Sequence, residues 1–182
     1  MLKLATTILI LCLVPNISTA ATVGEDQAGS FVRLYSSLCL KHVNNLDALR
    51  QKLERMPRLP PEKAAHFLAG RAGDAWPVPD KYGTFVLVLL SGKSFCAVYA
   101  RRADTEAVEK QFARLVATAP PPLTAKQVTN KHAQTSANGP THTVSYEWYV
   151  PSAHRKMLFT LTTASFASAQ IQVMGSAAII SE

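Results

Sequence analysis

The run GTFVLVLLSGKSFCAVYARR, Gly83 to Arg102, decides how the rest of the chain is read. β-Branched and aromatic residues fill it on both sides of Ser91-Gly92-Lys93. It therefore predicts two strands, Phe85 to Leu90 and Ser94 to Ala100, joined through the glycine turn as a hairpin. The apolar character is nearly continuous, and a strand of that kind needs cover on both faces. The hairpin is expected at the centre of a sheet, with Cys96 inside its second strand.

Upstream of the hairpin the period becomes helical. Phe31, Leu34, Tyr35 and Leu38 recur at helical spacing, so residues from about Asp26 to His42 predict an amphipathic helix with Cys39 close to its buried face. Asn45 can cap a second helix, from Leu46 to about Met56, lined by Leu46, Leu49 and Leu53. A third runs from Pro61 to Leu68, since proline suits a first turn and Gly70 can end the helix. His66 belongs to the surface or packing of that helix. Gly70 to Tyr82, with Gly73, Pro77, Pro79 and Asp80, predicts a loop. Trp76, an aromatic among breakers, either plugs the edge of the core or offers a contact on a binding loop.

Downstream, Asp104 caps a helix from Thr105 to about Ala117. Val108, Phe112, Leu115 and Val116 face inward along it, and Pro120-Pro121-Pro122 ends it. Leu123 to Lys131 is a weak strand, followed by a polar loop from His132 to Pro140. His142 to Val150 alternates cleanly, with Val144, Tyr146, Trp148 and Val150 on one face. Lys156 to Thr163 and Ala169 to Ile180 complete the series, and the short connection Pro151 to His154 implies antiparallel neighbours. The pattern predicts an α+β fold: an antiparallel sheet of five or six strands, with the N-terminal helices and one central helix packed on one face.

The outward side of the last strands is polar yet mostly uncharged. Thr143, Ser145, Thr160, Thr162, Gln170 and Gln172, joined by Tyr149, offer hydrogen-bonding groups that are cheap to desolvate, and with Trp76 they form a possible partner surface. The same residues also suit a solvated sheet face made of good strand formers.

Residues 1–20 read as a cleaved signal peptide. Lys3 supplies the positive start, Leu4 to Val14 the apolar stretch, and Ser18-Thr19-Ala20 a small-x-small cleavage site. The apolar stretch is too short to span a bilayer, so no transmembrane helix is expected in the mature protein. Lipid attachment at Cys12 needs a small residue directly before the cysteine, and Leu11 stands there. Removing 20 residues leaves 162 of the 182, Ala21 to Glu182, enough for a single α+β domain. The expected location is periplasmic or secreted.

The chain carries 19 Lys and Arg against 12 Asp and Glu, a net charge of +7 that favours anionic surroundings. The expected partners are another envelope protein or an anionic envelope component. Nucleic acid is not among them, because the cations form no stripe interleaved with exposed aromatics. Cys39 and Cys96 are the pair left after cleavage, and an oxidising compartment predicts a disulfide between them, about 4 kcal/mol by loop closure. No phosphate-binding, zinc-binding or nucleophile-elbow motif occurs, and no cofactor is expected. The competing catalytic reading is a cysteine-dependent envelope hydrolase using Cys96 with His142 or His154. Its weakness is that Cys96 sits inside a strand between Phe95 and Ala97.

Four runs, GTFVLVL from Gly83, CAVYARRAD from Cys96, SYEWYV from Ser145 and LFTLTTA from Leu158, resemble an uncharacterised proteobacterial family of small exported or lipid-anchored proteins. The resemblance implies a bacterial envelope protein and assigns no activity. The function expected is that of an exported envelope binding or accessory protein.

Overall fold

The computed structural model describes residues 23–181; the expected signal peptide, residues 1–20, and Cys12 lie outside them. Helix α1, Val23–Leu34, continues directly into a π-helical segment, Tyr35–Leu40. The apolar residues it buries are Ala28, Phe31, Tyr35 and Cys39, with Val43 just beyond. A spacing of four drifts by about 40° per step around an α-helix. The wider π turn keeps the stripe aimed at the sheet. Leu34 and Leu38, expected on the buried face, are only partly buried as a result. Helix α2, Leu46–Leu53, starts where Asn45 Oδ1 accepts from the Ala48 N–H at 3.1 Å. Helix α3, Pro61–Leu68, opens on proline and closes through Ala69 and Gly70, both left-handed (φ 49° and 76°).

Seven strands follow: β1 Gly73–Asp80, β2 Gly83–Leu90, β3 Phe95–Ala100, β4 Thr124–Thr135, β5 Gly139–Tyr149, β6 Arg155–Ala164 and β7 Val173–Ser181. They form one antiparallel sheet in the order β1-β2-β3-β7-β6-β5-β4. Helix α4, Thr105–Val116, links β3 to β4 and carries the chain to the far edge. From there the second meander works back until β7 pairs with β3. Asp104 caps α4 by accepting from the Ala107 N–H at 2.7 Å. Among the described residues no helix is long and apolar enough to cross a membrane.

The α+β class is as expected, with seven strands in place of five or six. The additional strand is β1, formed by the segment expected to be a loop. The Ala75 carbonyl accepts from the Leu59 N–H at 2.8 Å, so the backbone of Ala75 faces away from β2. Pro77 and Pro79 lie two and four residues on and share that orientation. The N–H groups they lack would have pointed to the open edge, where the ladder does not need them. The expected loop from His132 to Pro140 shrinks to a short turn, because β4 and β5 pair out to Thr135 opposite Gly139. The last strand begins at Val173, leaving Gln170 and Gln172 in the loop before it.

Alternating residues of β2 and β3 feed two cores. Phe85, Leu87, Leu89, Cys96 and Val98 pack under α1, α2 and α4 with Phe31, Leu49, Val108 and Phe112. Val88, Leu90, Ala97 and Tyr99 pack on the other side with Ala64, Phe67 and Leu68 of α3. The expectation of helices on one face therefore holds for α1, α2 and α4, while α3 crosses to the other. Strands that are apolar on both faces need a second cover, and one helical layer supplies only the first.

Two contacts draw the helical layer down. Cys39 and Cys96 form a disulfide with Cα atoms 5.3 Å apart, both residues fully buried, tying the π-helical segment to β3. The Tyr35 hydroxyl donates to the Ser176 carbonyl at 2.8 Å, and burial pushes its phenol well above the usual tyrosine range.

Candidate functional site

Helix α3 packs on the β1-β2-β3 side of its face, and beyond it Ser145 and Ser176 are buried while Thr143, Tyr149, Thr160 and Thr162 are half-buried. The register places Thr129, Ser145, Thr160 and Ser176 in one row across β4, β5, β6 and β7, and Thr143 opposite Thr162 in the next. The hydroxyls are spent partly on one another: Thr143 bonds Thr162 at 3.0 Å and Ser145 bonds Thr160 at 2.9 Å. Tyr149 shares this face, with the Lys156 ammonium 5.7 Å from its ring centre and Lys156 ion-paired to Glu147 at 3.8 Å. Five residues of the expected partner surface, Thr143, Ser145, Tyr149, Thr160 and Thr162, are thus brought together on one sheet face.

The other three are not. Gln172 is spent on backbone groups, accepting from the Arg102 N–H and donating to the Phe166 carbonyl at 3.2 Å. Gln170 is exposed on the same loop, off the strand. Trp76 is 2% exposed and belongs to the helix-covered core, with the Arg58 guanidinium 5.7 Å from its ring. It is the plug of the two readings and presents no contact surface.

The cysteine-hydrolase reading meets a bridged, fully buried Cys96, which has no thiolate to offer. His154 is exposed in the β5–β6 turn. The His142 side chain is committed elsewhere: Nδ1 lies 3.0 Å from a Glu109 carboxylate oxygen of α4, and Nε2 lies 2.9 Å from Asn130 Oδ1. The other Glu109 oxygen accepts from the Thr163 hydroxyl, and the His142 ring stacks on His132 at 4.2 Å. Both ring nitrogens have oxygen partners, so the cluster pins α4 to β4, β5 and β6. Among the described residues, no group of three or more His, Cys, Asp or Glu side chains could hold a metal ion.

A site that sequence reasoning missed lies between α3 and β1. It is a cleft of about 580 Å³, within the range of roughly 300–1,000 Å³ usual for ligand sites. Leu59, Pro61, Ala64, Ala65 and Leu68 make an apolar lining. Gly73 permits the close approach that shapes it, since a Cβ there would lie 2.5 Å from the Leu89 carbonyl oxygen and 3.0 Å from Leu68 Cδ2. Arg58 precedes α3 and Arg71 follows it, so two guanidinium groups flank the apolar stretch.

Their electrostatic situations differ. Arg58 Nη1 sits 3.0 Å from Asp74, and Arg50 approaches the same carboxylate at 3.7 Å while donating to the Leu90 carbonyl at 2.6 Å. Asp74 is therefore shared between two cations. Arg71 is held by Nε donating to the Leu68 carbonyl at 3.1 Å and by the Phe95 ring, 5.1 Å from its guanidinium carbon. Among the described residues, no carboxylate forms an ion pair with it. The signal in the sequence was the pair of arginines bracketing a short helix with exposed Ala65. That signal acquires meaning only once β1 is known to be a strand. No family model, curated protein or solved structure matches the chain, and the reading of this site rests on its own geometry.

Proposed function

We propose that this is an exported protein of the bacterial envelope, periplasmic or secreted, that binds a ligand or partner in an accessory role. The observation that carries the reading is the buried Cys39–Cys96 bridge, because disulfides of this structural kind persist in oxidising compartments and are rare in reducing ones. The leader-like first twenty residues and the resemblance to small exported proteins agree with it. The α3–β1 cleft supports binding over catalysis: its lining is mostly apolar, and its one carboxylate, Asp74, is engaged by Arg58 and Arg50. The positive net charge suits an anionic envelope component as the thing bound.

The test is to express the full chain in a bacterium, fractionate the cells, and measure intact mass with and without reductant before alkylation. The expected product is Ala21 to Glu182 in the periplasm or medium, with Cys39 and Cys96 alkylated only after reduction. An uncleaved chain in the cytoplasm, or freely alkylated thiols in the exported protein, would overturn the reading.

A further inference from the structure

The cleft's walls restrict what can occupy it. An extended peptide would need β1 as a pairing edge, yet that edge is poor in pairing groups: the Ala75 carbonyl is taken by Leu59, and Pro77 and Pro79 offer no N–H. What remains is an apolar channel along α3, a helix of eight residues and so about 12 Å long, with small Ala64 and Ala65 leaving the space and Leu59, Pro61 and Leu68 lining it. At the C-terminal end of α3 stands Arg71, a planar fork of donors suited to a carboxylate or phosphate monoester, held in place by Leu68 and Phe95 and lacking an acidic partner.

We propose that the α3–β1 cleft binds a single-chain anionic amphiphile, its alkyl chain lying along Leu59, Pro61, Ala64, Ala65 and Leu68 and its acidic head on the Arg71 guanidinium. The assignment rests on the binding role above and names the ligand class for it. Burying the chain drives association, since its apolar surface leaves water. The arginine selects the anionic head. Charge balance agrees: Asp74 is already shared by Arg58 and Arg50, so it does not compete for the ligand's position at Arg71. The occupant is a free amphiphile of medium chain length, because α3 offers an apolar lining only about 12 Å long.

The probe is decanoate below its aggregation concentration, titrated calorimetrically into the full mature protein, with amide chemical shifts recorded in parallel. One molecule is expected to bind, with shifts concentrated at Ala64, Ala65, Leu68 and Arg71. Ala65→Phe fills the channel from an exposed position and is expected to abolish binding with the urea midpoint unchanged. Arg71→Gln is expected to weaken decanoate at least tenfold, Arg71→Lys less, and neither should alter the weaker binding of uncharged decanol.

Decanoate heats without shifts in the cleft, equal affinity in Arg71→Gln, or flotation with anionic vesicles without decanoate uptake would each overturn the proposal. Failure here in a protein that is exported and bridged removes the amphiphile and leaves the envelope reading standing. Decanoate binding by a protein that stays in the cytoplasm does the reverse.

Discussion

Gly175→Ala probes the closest approach between the helical layer and the sheet. Gly175 lies on the helix-covered face of β7, opposite Val98 of β3 and Leu161 of β6. A methyl group there would sit 2.8 Å from Phe31 Cζ and 3.1 Å and 3.3 Å from Tyr35 Cδ2 and Cε2. Carbon atoms prefer about 3.5–4.0 Å, so the Phe31 ring must retreat by roughly 1 Å. Tyr35 is poorly placed to follow, because its hydroxyl is tied to the Ser176 carbonyl and its residue is fully buried. The Gly175 backbone is outside the left-handed region, which makes the penalty one of packing.

Overpacking of this kind costs about 1–3 kcal/mol, and the reduced freedom of the unfolded chain returns about 0.4–1 kcal/mol. The net expectation is about 1.5 kcal/mol of destabilisation, or a Tm lower by about 3–6 °C for a domain of this size. Urea unfolding read by tryptophan fluorescence and circular dichroism measures it, with an unchanged m-value as the sign that only stability has moved. Phe31→Leu removes the atom that clashes, so the double variant is expected to be less destabilised than the sum of the two singles. A Gly175→Ala protein as stable as the parent, or strict additivity in the double variant, would refute the reasoning.

Two further outcomes follow from the same geometry. Replacing both Cys39 and Cys96 by alanine opens a loop spanning 57 residues and is expected to lower stability by about 4 kcal/mol. The urea midpoint of that variant should no longer respond to reductant, and a loss under about 1 kcal/mol would show that the bridge does not constrain the unfolded chain. Asp80 accepts from the Ser30 hydroxyl at 2.6 Å, from the Tyr82 N–H at 3.2 Å and from Arg33 at 2.7 Å. These bonds, Ser30 foremost, hold its carboxyl below the usual range. The fold thus favours the ionised form, whose contribution is complete above the ordinary carboxylate range and fades as pH falls through the lowered value. Asp80→Asn is expected to flatten that acid limb in urea midpoints taken between about pH 6 and 2, and an unaltered limb would count against the assignment.

The elements that were legible in the sequence are those whose causes are contiguous. Asn45 and Asp104 cap the helices they precede, and Val108, Phe112 and Val116 sit on the buried face their spacing implies. Ser91-Gly92-Lys93 turns the central hairpin, and Val144, Tyr146 and Trp148 face the main core as their alternation requires. The misses have causes elsewhere in the molecule. Gly70 to Tyr82 reads as a loop because proline is judged by what it breaks, and only an outer edge makes Pro77 and Pro79 harmless. Gln170 and Gln172 fall within the apolar-rich run from Ala169 to Ile180 that reads as one strand, whereas β7 starts only where β3 and β6 are available to pair with it. The polar sheet face was visible as alternation, while the cleft was not, since its walls come from a helix and a strand that had no reason to be paired in advance.

By itself, then, the sequence determined the α+β class, the position of the central hairpin, the helix starts and the pairing candidates Cys39 and Cys96, because period, capping and turn chemistry act within a few residues. The tertiary structure alone decided that α3 crosses to the opposite face and that the 35-to-40 segment widens into a π-helix. It also decided that Gly175 leaves no room for a side chain unless Phe31 shifts, and that Arg71 ends beside an apolar cleft without an acidic partner. Those outcomes depend on which surfaces compete for burial across the sheet, a contest between residues distant in the chain whose result no local pattern records.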